Sequence, residues 1–556
     1  MNTANHLTPR ADFSALGVFN LLKTFFASYW LRTAAYLIAA SVLMPLLLIL
    51  SSWMSVEADT WVHLIQTVLG DLLRNTLVLS VGVTIGVSLL GVSLAWLTSM
   101  CVFPGRKFFD WALMLPMAVP AYVMAFVFLG LMDFSGPVQT ALRHWLGPDA
   151  GFNAKGDIAV ITVMSLVLYP YVYMLARNAF LGQGLLLWES ARSLGAGPWR
   201  AFFSVALPLA RPGIIAGVSL AVMETLADFG TVATFNYDTF TTAIYKAWYG
   251  FFDITSAAQL ASLLLLFVFL ALFTEKQTRG KRKFHQQQHS KNGKGIRLRG
   301  WQAVAAFLWC FCVATVAFVV PVVQLSIWVA ETNLSGLDSR FLEFIWHSMI
   351  LAAIASILVA VCALILSYAQ RLHATPSIRL SVQLSTLGYA LPGSVLAVGI
   401  MVSFSQIDNL LLPVLKQWGW SGPLLVGSLV ALLMAYVVRF MAVAFGPIDS
   451  SLQRITPSIP EAARSLGLNA RQALTRIYIP MLMPGMLTAM LLVFVDVLKE
   501  MPATLLLRPF GWDTLGVKIY EYTSEGEWEL AAVPGLLLIL VGLLPVIILI
   551  RRSRHK

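Results

Sequence analysis

Two pairs of carboxylates raise the first chemical question. Glu224 and Asp228 stand four residues apart, and Asp496 and Glu500 repeat that spacing 272 positions later. A separation of four places both members of a pair on one helix face. Each pair ends a long apolar run, where an ionisable group is costly and usually faces a cavity. Carboxylate oxygens are the ligands hard cations prefer, so four of them around one path suit a passing cation, up to a trivalent metal ion. Tyr237, Tyr245, Tyr249, Tyr520 and Tyr522 lie nearby as phenols that could assist. The competing reading makes the acids interfacial, paired with Lys499 or Lys246, and serving to dock another protein.

A second constellation is polar and duplicated. Residues 189–208 read ESARSLGAGPWRAFFSVALP and residues 461–480 read EAARSLGLNARQALTRIYIP, with eight of twenty positions identical at the same offset of 272. In the later copy Ser458-Ile-Pro-Glu461 has the form of a capping box with proline in the first turn. Glu461 then suits the positive end of the helix dipole. Ala462, Ala463 and Leu466 give a small-residue face, and Gly467 is placed to end the helix. The earlier copy has Ser190 where the later has Ala462, and no obvious Ser cap. Each copy is expected to form a short helix across a membrane surface, with a face another protein could approach.

Other chemistries find no support. The phosphate-cradling pattern G-x-x-x-x-G-K-[S/T] does not occur, and the GKG at 293–295 is too short and lacks the hydroxyl residue. No hydrolase arrangement stands out. His285 and His289 are four apart but lie in a glutamine-rich segment, which disfavours a metal site. Cys101, Cys310, Cys312 and Cys362 fall in or beside apolar runs and read as packing residues. The chain is expected to be no enzyme and to bind no cofactor itself.

The elements that must position these residues follow from composition. Of 556 residues, 58% are hydrophobic and 12% charged, against about 25% charged in soluble domains. A bilayer core needs about 20 apolar residues per helix. Twelve such runs are found, at 33–53, 77–100, 110–131, 158–180, 210–227, 256–273, 302–327, 348–370, 382–404, 423–444, 481–498 and 530–550. The fold class is an all-α polytopic membrane protein.

Further matches at or near the same offset include Pro120 with Pro392, Pro212-Gly213 with Pro484-Gly485, and Ile244-Tyr245 with Ile519-Tyr520. The twelve spans are therefore two parallel repeats of six, with a pathway between them. The divisions are a cytoplasmic N-terminal segment at 1–32, a first repeat at 33–274, a basic linker at 275–300 and a second repeat at 301–556. With the N-terminus inside, 29 of the 38 Lys and Arg fall on the cytoplasmic side, and 21 of the 27 acidic residues on the other. The positive-inside rule then puts both termini and both repeated phrases in the cytoplasm. The net charge of +11 is a topology signal, and nucleic acid is not an expected partner.

The repeated phrase resembles the signature of ABC importer permeases: Glu-Ala-Ala, three residues, Gly, nine residues, Ile, one residue, Leu-Pro. Gly195 and Gly467 are each followed by nine residues, then by Val205-Ala-Leu-Pro208 and Ile477-Tyr-Ile-Pro480. Ser190, Val205 and Ile479 depart from the pattern. The resemblance implies that Glu189, Ala191 and Gly195, with Glu461, Ala462, Ala463 and Gly467, dock a separate ATP-hydrolysing subunit. It implies two copies of that cytoplasmic ABC ATPase, which would use ATP and Mg, and a periplasmic substrate-binding protein. It also implies a bacterial inner-membrane location. The whole chain is similar to the fused two-domain ferric-iron permeases, notably over 224–250 and 496–521. Thiamine, phosphonate and sugar phosphate are alternative cargoes. An ion-coupled secondary transporter would offer no reason for the two loops, and a lipid-modifying enzyme would need a cluster of His, Asp or Ser at one interface, which the sequence does not show. Glu224, Asp228, Asp496, Glu500, Tyr245 and Tyr520 are the candidate pathway residues.

Overall fold

A computed structural model describes residues 15–279 and 295–554, apart from 56–57, 152, 184–185, 333–339, 421, 457, 460–464, 466, 468–471 and 473. Twelve helices in the described residues are long and apolar enough to cross a membrane. The spans in the first half include α1 (Ala15–Ser51), α2 (Leu69–Met100), α3 (Ala121–Met132), α4 (Asp157–Gln183), α6 (Leu207–Ala227) and α9 (Ile254–Arg279). Between them lie three short helices, α5 (Leu186–Ser193), α7 (Gly230–Thr234) and α8 (Phe240–Tyr245). The second half has α10 (Trp301–Glu331), α11 (Phe341–Leu372), α12 (Gly393–Gln417), α13 (Leu429–Gln453), α14 (Ile479–Lys499) and α17 (Trp528–Arg554). Short helices α15 (Pro502–Leu507) and α16 (Leu515–Glu525) follow α14.

Apolar residues on α2 divide by face. Leu72, Leu79, Val83, Val87 and Leu94 are buried, while Leu77, Val81, Ile85 and Leu89 are exposed. Such a two-sided apolar helix is expected where one face meets protein and the other lipid. In the first half α2, α4 and α6 pack together, and in the second α11, α13 and α14 do the same. The first span of each half reaches across to the third span of the other. Thus α1 lies on α12, and α10 lies on α3.

The repeat is kept at backbone detail. A π-helical turn covers Phe202–Ala206 in one half and Leu474–Tyr478 in the other, each just before Pro208 or Pro480. A proline has no N–H for the carbonyl four residues back, so the ladder widens there. A Cβ on Gly213 would stand 2.8 Å from the Leu175 carbonyl, and one on Gly485 2.7 Å from the Pro447 carbonyl. Both glycines let the helices touch backbone to backbone.

Two of the expected spans need correcting. The runs at 110–131 and 382–404 are not continuous helices. Each holds a 3-10 turn, Leu115–Ala118 or Leu387–Ala390, followed by an extended proline, Pro120 (ψ 143°) or Pro392 (ψ 140°), from which α3 or α12 starts. The residue before a proline avoids the helical region and the proline donates no bond, so a helix restarts there. Helix α1 begins at Ala15, within the segment 1–32. Within 275–300, α9 runs on to Arg279, and Ile296–Arg297 pairs in parallel with Cys101–Val102. His285 and His289 lie outside the described residues. All four cysteines are free thiols.

Candidate functional site

A cavity of about 360 Å³ lies where the halves meet, lined from both by Tyr122, Tyr171, Glu224 and Asp228, and by Tyr389, Arg439, Asp496, Lys499 and Glu500 among others. All four sequence-selected carboxylates line it. Their roles divide by depth along the helices. Asp228 follows α6, and its Oδ1 accepts from the Thr231 and Val232 amides at 2.9 and 3.2 Å, while Oδ2 accepts from the Thr231 hydroxyl at 2.9 Å. Glu500 follows α14 and accepts from the Ala503 and Thr504 amides, both at 3.2 Å, and from the Thr504 hydroxyl at 3.1 Å. These two acids cap α7 and α15, satisfying N–H groups that a helix start leaves unpaired. The Arg439 Nε lies 3.6 Å from Glu500, both side chains being largely buried.

One turn deeper the acids are presented differently. Glu224 accepts a 2.8 Å hydrogen bond from the Tyr389 hydroxyl, a contact between the halves. Tyr171 lines the same cavity beside them. Asp496 faces the cavity from α14 with Lys499 one turn on. The Lys499 ammonium donates to the Met117 carbonyl at 3.0 Å, and Arg439 Nη1 donates to the Leu391 carbonyl at 3.1 Å. Both cations thus serve carbonyls at the broken third and ninth spans. Among the described residues no three His, Cys, Asp or Glu side chains come together as a metal-holding group.

Tyr245 and Tyr520 do not line this cavity. They pack at a tilt against Phe229, which does, with ring centres 5.1 and 5.4 Å away, and they meet each other at 6.2 Å. With Phe229 they form an aromatic cluster behind the cavity wall. Beyond it, Arg508 bridges Asp513 and Glu521, the latter at 2.8 Å, and Lys518 holds Glu521 at 2.7 Å. Burial alone would raise the Glu521 carboxyl, but the hydrogen bonds from Lys518 and Arg508 bring it below its ordinary value. Lys246 pairs with Asp238 at 2.6 Å, away from the cavity acids.

Sequence reasoning missed Arg439 as a wall residue and missed Tyr122, Tyr171 and Tyr389. The signal for Arg439 was present: an arginine inside an apolar run of α13 is costly unless it faces a cavity or a partner.

The repeated loops lie at the end of the bundle opposite the carboxylates, because α6 and α14 start at one and finish at the other. Glu189 and Ala191 are on α5. Gly195 (φ +86°) ends it as a Schellman turn, with the Ala196 amide donating to Ala191 at 3.1 Å and the Gly195 amide to Arg192 at 3.1 Å. Gly467 has φ +80° at the matching place. Glu461, Ala462 and Ala463 lie outside the described residues. Leu194 (87% exposed) and Trp199 (74% exposed), whose ring stacks on Phe203, stand out from the first loop among the described residues.

These features carry a family's pattern. The profile of the binding-protein-dependent transport system inner membrane component matches the chain twice, over residues 87–276 and 369–554. The chain belongs to that family. It is a two-domain ABC permease and a multi-pass inner membrane protein. Among its relatives, the Fe(3+)-transport system permease protein of Haemophilus influenzae is 28% identical over 533 residues, covering 94% of this chain and 98% of that protein. The molybdenum transport system permease protein of Escherichia coli is 38% identical over 145 residues, 26% of this chain and 62% of its own length. A probable sulfate transport system permease protein of Marchantia polymorpha is 26% identical over 240 residues, 41% of this permease and 82% of its own length. The relatives are transport subunits, in keeping with a chain that is not an enzyme.

Proposed function

We propose that this permease forms the path of an ATP-driven importer for ferric iron, moved by ATPase subunits that grip its two repeated loops. The observation that carries the reading is the cavity between the halves, with carboxylates at matched positions from both repeats. Four acids against two cations leave the wall net negative, which attracts a cation and repels an anion. A relative matched along nearly the full length is a ferric permease. Two loops on one side imply two ATPase copies, which would bind and hydrolyse the ATP with Mg. The basic loops put that side, with both termini, in the cytoplasm. The carboxylate end then faces the periplasm, where a binding protein would deliver the cargo.

A second cargo class has one observation behind it. Arg439 and Lys499 are cations in the cavity wall, and molybdenum and sulfate permeases are partial relatives. Oxyanion cargo would use such groups.

The test is direct. The full chain is purified from its own cell membranes and proteins retained with it are identified, beside a variant carrying Leu194→Asp. An ABC ATPase should be retained with the wild type and lost from the variant, and wild-type cells should accumulate labelled ferric iron in an ATP-dependent way. Absence of any ATPase, or unchanged iron uptake when the chain is deleted, would refute the reading.

A further inference from the structure

The charges in the cavity break the symmetry of the repeat. Its carboxylates come in matched pairs, Glu224 with Asp496 and Asp228 with Glu500. Its cations do not. At the offset of 272 the partner of Lys499 is Ala227, and that of Arg439 is Val167, and both of these apolar residues also line the cavity.

Each charge can be accounted for. Arg439 sits by Glu500 and donates to Leu391, so it joins elements within the second half. Asp228 is occupied as a helix cap. Glu224 and Asp496 are left facing the space, and Lys499 is the one cation of the wall without a carboxylate cap to serve. It stands three residues after Asp496, on the same face of α14. Its ammonium crosses to the other half, donating to the Met117 carbonyl. That carbonyl is available because Pro120, three residues on in the 3-10 turn, has no N–H to give it. The Lys499 backbone carbonyl is approached from the first half too, by the Tyr122 hydroxyl at 3.5 Å.

We propose that Lys499 is a tethered counter-ion: its ammonium neutralises Asp496 and ties the halves together at Met117 until a cargo cation takes its place. This rests on the cation reading above and adds to it the residue that sets how strongly the empty path holds a cation. A lysine suits the part, since its ammonium is a point charge on a flexible stem that can swing away while its backbone stays in the helix. The alanine at position 227 shows what the same site looks like without it, so the repeat supplies the control substitution.

The experiment titrates the full chain in lipid nanodiscs with Tb³⁺, a hard trivalent ion whose emission is sensitised by nearby phenols. Tyr122, Tyr171 and Tyr389 are in the wall to report it. Lys499→Ala should bind Tb³⁺ at least tenfold more tightly than wild type, and Lys499→Arg should not. Adding Asp496→Asn to Lys499→Ala should abolish the gain. Equal affinity in wild type and Lys499→Ala, or a gain that survives Asp496→Asn, overturns the proposal while leaving ferric cargo standing if cells still import iron. A parallel titration with molybdate separates the other failure. Wild-type binding of molybdate that vanishes in Lys499→Ala would make Lys499 an anion ligand and would overturn the cation reading itself.

Discussion

Asp228 and Glu500 illustrate how two acids of the same spacing can do different work from their neighbours. Both accept amide hydrogens at the start of a short helix, so their removal is first a matter of stability. Asp228→Ala is expected to cost about 1 kcal/mol, the usual worth of such a cap. Glu500→Gln should cost more, on the order of 3 kcal/mol, because it strands a buried Arg439. Thermal unfolding of the purified chain measures both. Glu224→Gln should leave unfolding nearly unchanged yet lower ferric uptake about tenfold or more, whereas Asp496→Asn should lower uptake as much and also destabilise, because it leaves Lys499 without its carboxylate. The spacing of four was legible in the sequence and placed all four acids toward one space. Which pair would be spent on capping was not, because that depends on where the chain turns after Ala227 and Lys499. The outer cluster adds a pH effect. Glu521 is held below its ordinary value near 4.5 by Lys518 and Arg508. A depressed carboxylate contributes stability that is present above that value and lost as the pH falls through the lower folded one. Amides of 508–521 should therefore exchange hydrogen faster relative to the rest of the chain as the pH drops from 5 toward 3. A constant ratio across that range would contradict this.

At the scale of elements, proline and glycine do most of the specifying. Pro120 and Pro392 turn what reads as a single apolar run into two pieces, and the freed carbonyls are where Lys499 and Arg439 attach. Hydropathy averages over such a break, since the residues on either side remain apolar. The duplicated Pro-Gly pairs were visible as a repeat, but their purpose needed the neighbouring helix. Gly213→Val and Gly485→Val each force a side chain against a carbonyl under 3 Å away. Overpacking of that kind costs about 1–3 kcal/mol, and here backbone must move, so folded yield on size-exclusion chromatography should fall. Gly446→Ala on α13 is the matched control. A Cβ there meets nothing within 4 Å, and removing a helical glycine should stabilise by up to about 1 kcal/mol.

The whole molecule is two six-span units that clasp each other: α1 lies on α12 of the second half, and α10 on α3 of the first. Parity of spans, the basic loops and the offset of 272 made the two units readable from sequence. The exchange of first spans was not, because α1 and α10 are largely apolar, and the polar Arg32 and Tyr36 of α1 do not by themselves name His373 and Ser377 of the other half as their partners. The clasp has a consequence for the linker. If contacts across the interface hold the halves, covalent continuity between Arg279 and Gly295 should matter little once both are made. The chain cut between those residues and co-expressed as two pieces should co-purify and restore at least half of wild-type uptake. A second cut pair, in which the first piece also begins after Ser51 and so lacks α1, should fail to co-purify. Retention of the second half by that shortened piece would mean that the cavity interface alone holds the units together and that the crossed spans are passengers.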